Sequence, residues 1–217
     1  MNKRGWMSLL GVLATALISG FFLWSLMVRG SSLGNLGLAG VFLASMLSHL
    51  TVVARDMFIP LFLPLTSVYH PSILGFSAGV GGAIGEVTTY FLGWGLTETL
   101  EERTPAEDRI AGWIKRYGLW AVLLVSITPL PDTPIVILAG SRRLPFRSLL
   151  LVEIIGKTAL YSLAALFGGI VFLGLENSIG GHASSILLVA GSIVLTFAVT
   201  WRPSRDWIFG IVENLID

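Results

Sequence analysis

The 217-residue chain has no cysteine, and charged residues make up only 12% of it. The first absence excludes a disulfide framework, a thiolate nucleophile and zinc–thiolate ligation. The second is more restrictive, because soluble domains carry about 25% charged residues and so small a share cannot cover an aqueous surface. Hydrophobic residues reach 54% and the mean hydropathy is +0.81. The chain therefore reads as a single integral membrane domain. An excess of either charge is also lacking: 14 basic and 13 acidic residues leave a formal charge of +1, without the basic footprint of a nucleic-acid binder. The three histidines show no metal-ligand spacing on one helix, so neither a metal nor another cofactor is expected.

What is present is a series of apolar intervals between charges, each judged against the roughly 20 residues that a spanning helix needs. Residues 5–28 follow Lys3 and Arg4 and exceed the apolar run of a signal peptide. They predict a retained first transmembrane helix within 1–29, with Trp6 and Trp24 at the interfaces. Further intervals cover 30–54, 57–96, 119–140, 148–175 and 183–201. Prolines interrupt two of them, Pro60, Pro64 and Pro71 in one and Pro129, Pro131 and Pro134 in the other. Thr104, Pro105 and Glu107 have the pattern of a capped helix start. Ile110, Trp113, Ile114 and Tyr117 follow on one stripe, which predicts a short surface helix. Residues 203–217 repeat the theme as an interfacial anchor.

Orientation follows from Lys and Arg, which mark the cytoplasmic side. Eleven of the 14 basic residues fall in four places: 3–4, 103–116, 142–147 and 202–205. If all four are cytoplasmic, 119–140 enters and returns on the same side. The same bookkeeping makes about 33–70 a second re-entrant segment, opened from outside. The expected fold is thus an all-α polytopic membrane protein, with an inverted repeat of two opposed proline-containing hairpins in a core over 33–174. A C-terminal transmembrane helix over 183–201 completes it, with both termini cytoplasmic in a multi-pass cell-membrane protein. The alternative is a plain span over 30–54 that leaves Arg55 in a cytoplasmic loop.

An ionisable group inside a bilayer marks a functional site by default. Six qualify: Arg55, Asp56, Glu86, Asp132, Glu153 and Lys157, with His49 a weaker seventh. If the hairpin tips meet, Arg55 neutralises Asp132 or Asp56, leaving one carboxylate to take a proton or hold a cationic head group. Otherwise Arg55 and Asp56 lie in headgroup water. Glu153 and Lys157 have the i, i+4 spacing of a helical ion pair, read either as an internal pair or as part of transport. Glu86 follows Gly75, Gly79, Gly81 and Gly85, whose spacing suits close helix approach. It is expected to face the interior, poised to exchange a proton. His49 reads as structural; His70 and His182 read as outer-surface residues.

Three stretches carry a family resemblance. They are Gly82-Ala-Ile-Gly-Glu-Val-Thr-Thr-Tyr-Phe-Leu-Gly-Trp-Gly95; Tyr117-Gly-Leu-Trp-Ala-Val-Leu-Leu-Val-Ser-Ile-Thr-Pro-Leu-Pro-Asp132, running on to Ala139 and Gly140; and Leu144-Pro-Phe-Arg-Ser-Leu-Leu with Gly156-Lys157. In this order and spacing the chain resembles the DedA family, also described as the VTT-domain or SNARE-associated Golgi protein family. The resemblance implies lipid translocation: return of undecaprenyl phosphate with use of the proton motive force in bacterial relatives, and phospholipid scrambling in eukaryotic ones. Two departures stand out. Many bacterial members carry arginines where this chain has Ser126 and Asp132, and a glutamate ahead of the first prolines where it has Arg55-Asp56. Arg142, Arg143 and Arg147 suit a lipid phosphate at the interface, and equally serve as topology signals.

The expected function is a lipid flippase or scramblase with membrane lipids and protons as partners, with a homo-oligomer left open. The alternative is a proton-coupled antiporter of small ions or cationic solutes. A structural assembly factor is a further reading. Enzyme chemistry is not expected, since Ser126, Thr128, His49 and Asp132 form no recognised catalytic spacing.

Overall fold

The computed structural model describes residues 3–28, 36–52, 55–97, 116–128 and 132–180, with a few further positions between 183 and 191. Every regular element among them is helical. The first, α1 (Lys3–Val28), contains a 21-residue stretch long and apolar enough to cross a membrane. Its two sides differ. Met7, Leu10, Leu13, Leu17 and Phe21 are exposed, whereas Val12, Ser19 and Leu23 are buried. So much exposed apolar surface is untenable in water and natural against hydrocarbon.

After α2 (Leu38–Leu50) the helix stops in a turn where Val52 takes φ +66°, an uncommon conformation for a β-branched residue. The chain then resumes as three short pieces: a 3₁₀ turn (Arg55–Phe58), α3 (Ile59–Phe62) and a second 3₁₀ turn (Leu63–Ser67). Proline explains the fragmentation. Pro60 and Pro64 each sit in the first positions of a new piece, where a missing N–H needs no partner, and neither can continue the helix before it.

Two nearly continuous helices follow, α4 (Pro71–Gly85) and α5 (Val87–Thr97), jointed at Glu86. There the Glu86 N–H is shared between the carbonyls of Gly82 and Ala83, and Tyr90 N–H resumes the ladder on Glu86 O at 2.9 Å. His70 caps α4 by accepting from Ser72 N–H at 3.3 Å. The second interruption separates α6 (Leu119–Ile127) from α7 (Thr133–Ser141), which again carries its proline, Pro134, in the first turn. A tight turn leads to α8 (Phe146–Ile179), a 34-residue helix and the second candidate span.

Helix α8 packs most extensively against α4, α2 packs on α4, and α6 packs on α8. The second 3₁₀ turn also lies on α8, and α7 lies on α5. Glycines make these contacts close. A Cβ on Gly79 would sit 2.6 Å from Thr158 N, and Gly75 meets Ser162, so this pair faces α8. Gly81 and Gly85 instead face Phe42, Met46 and His49 on α2, while Gly93 and Gly140 let α5 and α7 touch backbone to backbone. The two small-residue pairs expected from spacing thus serve opposite faces of one helix. Two apolar clusters result, one around Phe58, Phe62, Leu74 and Phe172, the other around Val122, Val136, Ala139 and Leu149.

The expected surface helix near 104–117 falls almost wholly outside the described residues. So do the interfacial anchor over 203–217 and most of the span over 183–201.

Candidate functional site

Polar side chains on otherwise apolar helices converge at one place between the apolar clusters. Lys157 and Glu153 come from one face of α8, Glu86 from the joint between α4 and α5, Asp132 from the residue before α7, and Arg55 from the turn after the first break. Each comes from an irregular point of the backbone or from a single helical turn. Arg55 donates through Nη1 to Asp132 Oδ1, and through Nη2 to Glu86 Oε2 at 2.6 Å and Thr89 Oγ1 at 3.3 Å. Lys157 Nζ donates to Asp132 Oδ2 and lies 3.2 Å from Glu86 Oε1 and 3.6 Å from Glu153 Oε2.

Asp132 and Glu86 therefore each bridge both cations, one oxygen to the guanidinium and one to the ammonium. The result is a closed ring of four ion pairs. Glu153 stands outside it, joined only through Lys157 and held at Oε1 by the Ser126 hydroxyl at 2.9 Å. Among the described side chains, two cations face three carboxylates. Burial is nearly complete for Glu86, Glu153 and Lys157, and the most exposed member is the Arg55 side chain at 15%. In so dry a setting removal of one partner is far more damaging than removal of both, because the survivor remains as an uncompensated charge.

A neighbouring contact extends the polar region. His49, fully buried on α2, has Nδ1 2.8 Å from the carbonyl of Ser45 and Nε2 2.9 Å from the hydroxyl of Tyr161. A carbonyl only accepts, so the neutral ring keeps its proton on Nδ1 and Nε2 accepts from Tyr161. Tyr161 lies one turn beyond Lys157, which ties α2 to the same stripe of α8. Tyr161→Phe is expected to leave Nε2 without a donor and to cost about 1–3 kcal/mol, read as a lower unfolding midpoint in detergent. An unchanged midpoint would show that the contact contributes nothing.

Of the residues singled out from sequence, Arg55, Glu86, Asp132, Glu153 and Lys157 are brought together. Asp56 follows Arg55 in the 3₁₀ turn, but its side chain is outside the described set, as are Pro129 and Pro131. Arg142, Arg143 and Arg147 are exposed around the start of α8, away from the ring, with the Arg143 guanidinium 5.8 Å above the Trp94 ring. His70 is the exposed cap of α4, and His182 lies outside the described residues. Thr89, Ser126 as a Glu153 partner, and Tyr161 join the site in addition to the residues expected from sequence. Two of them had a signal: Thr89 is three residues from Glu86 on a helix, and Glu153, Lys157 and Tyr161 form a polar i, i+4, i+8 stripe in an apolar run.

Residues 57–170, just over half of the chain, match the VTT domain. This segment contains Glu86, Asp132, Glu153 and Lys157. Over 126 residues, 58% of this chain and 87% of the relative, the sequence is 27% identical to inner membrane protein YqaA of Escherichia coli (strain K12). The same figures hold for YqaA of Shigella flexneri. No solved structure matches the chain. With its apolar helices and buried charges, the chain belongs to the VTT-domain family, also called the DedA family, a membrane transport-related group of membrane proteins.

Proposed function

We propose that the protein moves polar lipid head groups between leaflets, as a flippase or scramblase, and that the ion-pair ring is where the head group passes. The observation that carries this is the meeting of the two helix breaks: Arg55 follows one, Asp132 ends the other, and they bind each other between Glu86 and Lys157. A guanidinium fork fits phosphate oxygens as well as carboxylate oxygens. A phosphate head group can therefore take over Asp132 or Glu86 contacts on Arg55, the most exposed member. Polyprenyl-phosphate carrier lipids and phospholipids both carry that group. Arg142, Arg143 and Arg147 gather such lipids at the cytoplasmic interface, and a proton serves as the coupling ion.

Packing supports the opposed-hairpin arrangement. The first arm of each broken unit lies on its own long helix, α2 on α4 and α6 on α8, while the second arms exchange, the 63–67 turn onto α8 and α7 onto α5. Such an exchange is what an inverted repeat produces, with its site near the bilayer midplane. Depth agrees. Lys157 lies eleven residues along α8 from Phe146, about 16 Å at 1.5 Å per residue, and half of the hydrocarbon core is about 15 Å. Basic residues at 3–4 and 142–147 then face the cytoplasm, with both termini on that side of a multi-pass protein.

The excess carboxylate favours a second reading, antiport of small ions or cationic solutes against protons. Reconstituted liposomes separate the two: transfer of labelled lipid between leaflets supports the first, and solute exchange without lipid transfer supports the second. In the same assay Asp132→Asn removes charge-assisted contacts worth about 1.5–3 kcal/mol each, so lipid exchange is expected to fall roughly 10- to 100-fold. Exchange at the wild-type rate would deny this carboxylate any part in the reaction.

A further inference from the structure

We infer that the resting site holds one proton, carried by Glu153 against the hydroxyl of Ser126. The inference rests on the cluster being the transport site only for its consequence, the coupling ion's address; the proton itself follows from charge and geometry. The ring is balanced within itself, since Arg55 and Lys157 face Asp132 and Glu86 with each carboxylate oxygen assigned to one cation. Glu153 is the third carboxylate. Its separation from Lys157, 3.6 Å, is the longest ion-pair distance in the cluster, and Lys157 is its one cationic neighbour there, whereas Glu86, whose Oε1 like Glu153 Oε2 is buried without a hydrogen bond, is paired with both cations; Glu153 is 1% exposed. An ionised Glu153 would be an uncompensated charge in an apolar interior, which proteins avoid by neutralising the group.

The surroundings name a proton rather than a larger cation. Facing Glu153 are Lys157 on its own helix, Ser126 from α6, Glu86 from the α4–α5 joint and, across Lys157, Asp132 and Arg55; His49 and Tyr161 lie one turn further along. Among the described residues no three acidic or histidine side chains are arranged to hold a metal ion. Ser126 suits both protonation states, because a hydroxyl donates to a carboxylate and accepts from a carboxylic acid. Its position is set by Gly156: a Cβ there would lie 2.5 Å from Ser126 Cβ, so the bare backbone lets α6 come near enough for the contact. Lys157 belongs both to the ring and to Glu153. A head group that draws the ammonium toward either one alters the hold on the proton, and coupling needs nothing else.

The test is infrared spectroscopy of the purified full-length protein in liposomes at neutral pH, reading the C=O stretch of a protonated carboxyl group. One such band is expected in the wild type. It should disappear in Glu153→Gln, and also in Asp132→Asn, where two carboxylates now match two cations and Glu153 ionises. Ser126→Ala should keep the band and move its frequency, with Ser126→Thr restoring the wild-type position. Absence of the band in the wild type, its survival in Glu153→Gln, or indifference to Ser126→Ala would each overturn the assignment. The readout does not depend on transport. A band that behaves as described without any lipid exchange sinks the transport reading and keeps the proton, whereas lipid exchange without a band does the reverse.

Discussion

Lys157→Met is expected to abolish lipid exchange and to destabilise the protein more than any other single change in the cluster. Methionine keeps the apolar stem and removes only the ammonium, which touches all three carboxylates. One guanidinium would then face the two ionised carboxylates of the ring, Asp132 and Glu86, with the protonated Glu153 left without its neighbour. Breaking a buried pair from one side costs about 3–5 kcal/mol, and here three contacts are broken at once, so a large fall in the unfolding midpoint should accompany the loss of activity. Adding Glu86→Gln removes one stranded charge, leaves Arg55 paired with Asp132, and should recover part of the stability, a coupling that a double-mutant cycle measures. A Lys157→Met protein with a wild-type midpoint would mean that the ion pairs do not hold the helices together.

The second large effect is expected from a residue with no charge. Gly79→Leu places side-chain atoms where the α8 backbone now lies, since even a Cβ there would sit 2.6 Å from both the nitrogen and the hydroxyl of Thr158. Thr158 follows Lys157 directly. Prising α4 from α8 at this point also pulls the joint that carries Glu86 away from the ammonium. Overpacking by a single methyl in a close-packed interior costs about 1–3 kcal/mol, and leucine adds three more carbons. Expression of folded protein and lipid exchange should both collapse. Gly11→Ala serves as the contrast: nothing lies within 4 Å of a Cβ on that residue of α1, and its effect should stay within about 0.5 kcal/mol. Equal behaviour of the two variants would refute the close-packing account.

Much of the architecture was legible because membranes simplify sequence. Apolar runs announce helices, and prolines at 60, 64 and 134 announce where helices must restart, for the local reason that the ring blocks the preceding turn. The glycine pairs 75/79 and 81/85 announced close helix approach by spacing alone; that the pairs serve two faces of α4 came from the packing. The Glu153–Lys157 pair was also legible, but only half of its chemistry, because i, i+4 spacing reveals the partner on the same helix and nothing about Asp132 or Glu86 across a crossing. Those contacts depend on how deeply α4 sinks onto α8, which Gly75, Gly79 and the Thr158 backbone decide together. Arg55 near Asp132 was legible only on the condition that the two proline-broken segments meet; closure of the ring through Glu86 was not, since a joint at residue 86 leaves no mark in hydropathy. His49 read as structural, and its contact with Tyr161 joins residues 112 positions apart.

The length of α8 has one more consequence. Its 34 residues make a rod of about 51 Å, against a hydrocarbon thickness of about 30 Å. The turns from Lys157 to Ile179 alone extend about 33 Å, as much as the hydrocarbon core is thick. A helix this much longer than the core, with Glu176, Asn177 and Ser178 in its last turn, leans steeply or stands clear of the lipid at its end. A probe fixed near Ile179, about 33 Å along the helix from Lys157, would magnify any change in the tilt of α8 without altering a residue of the charged cluster.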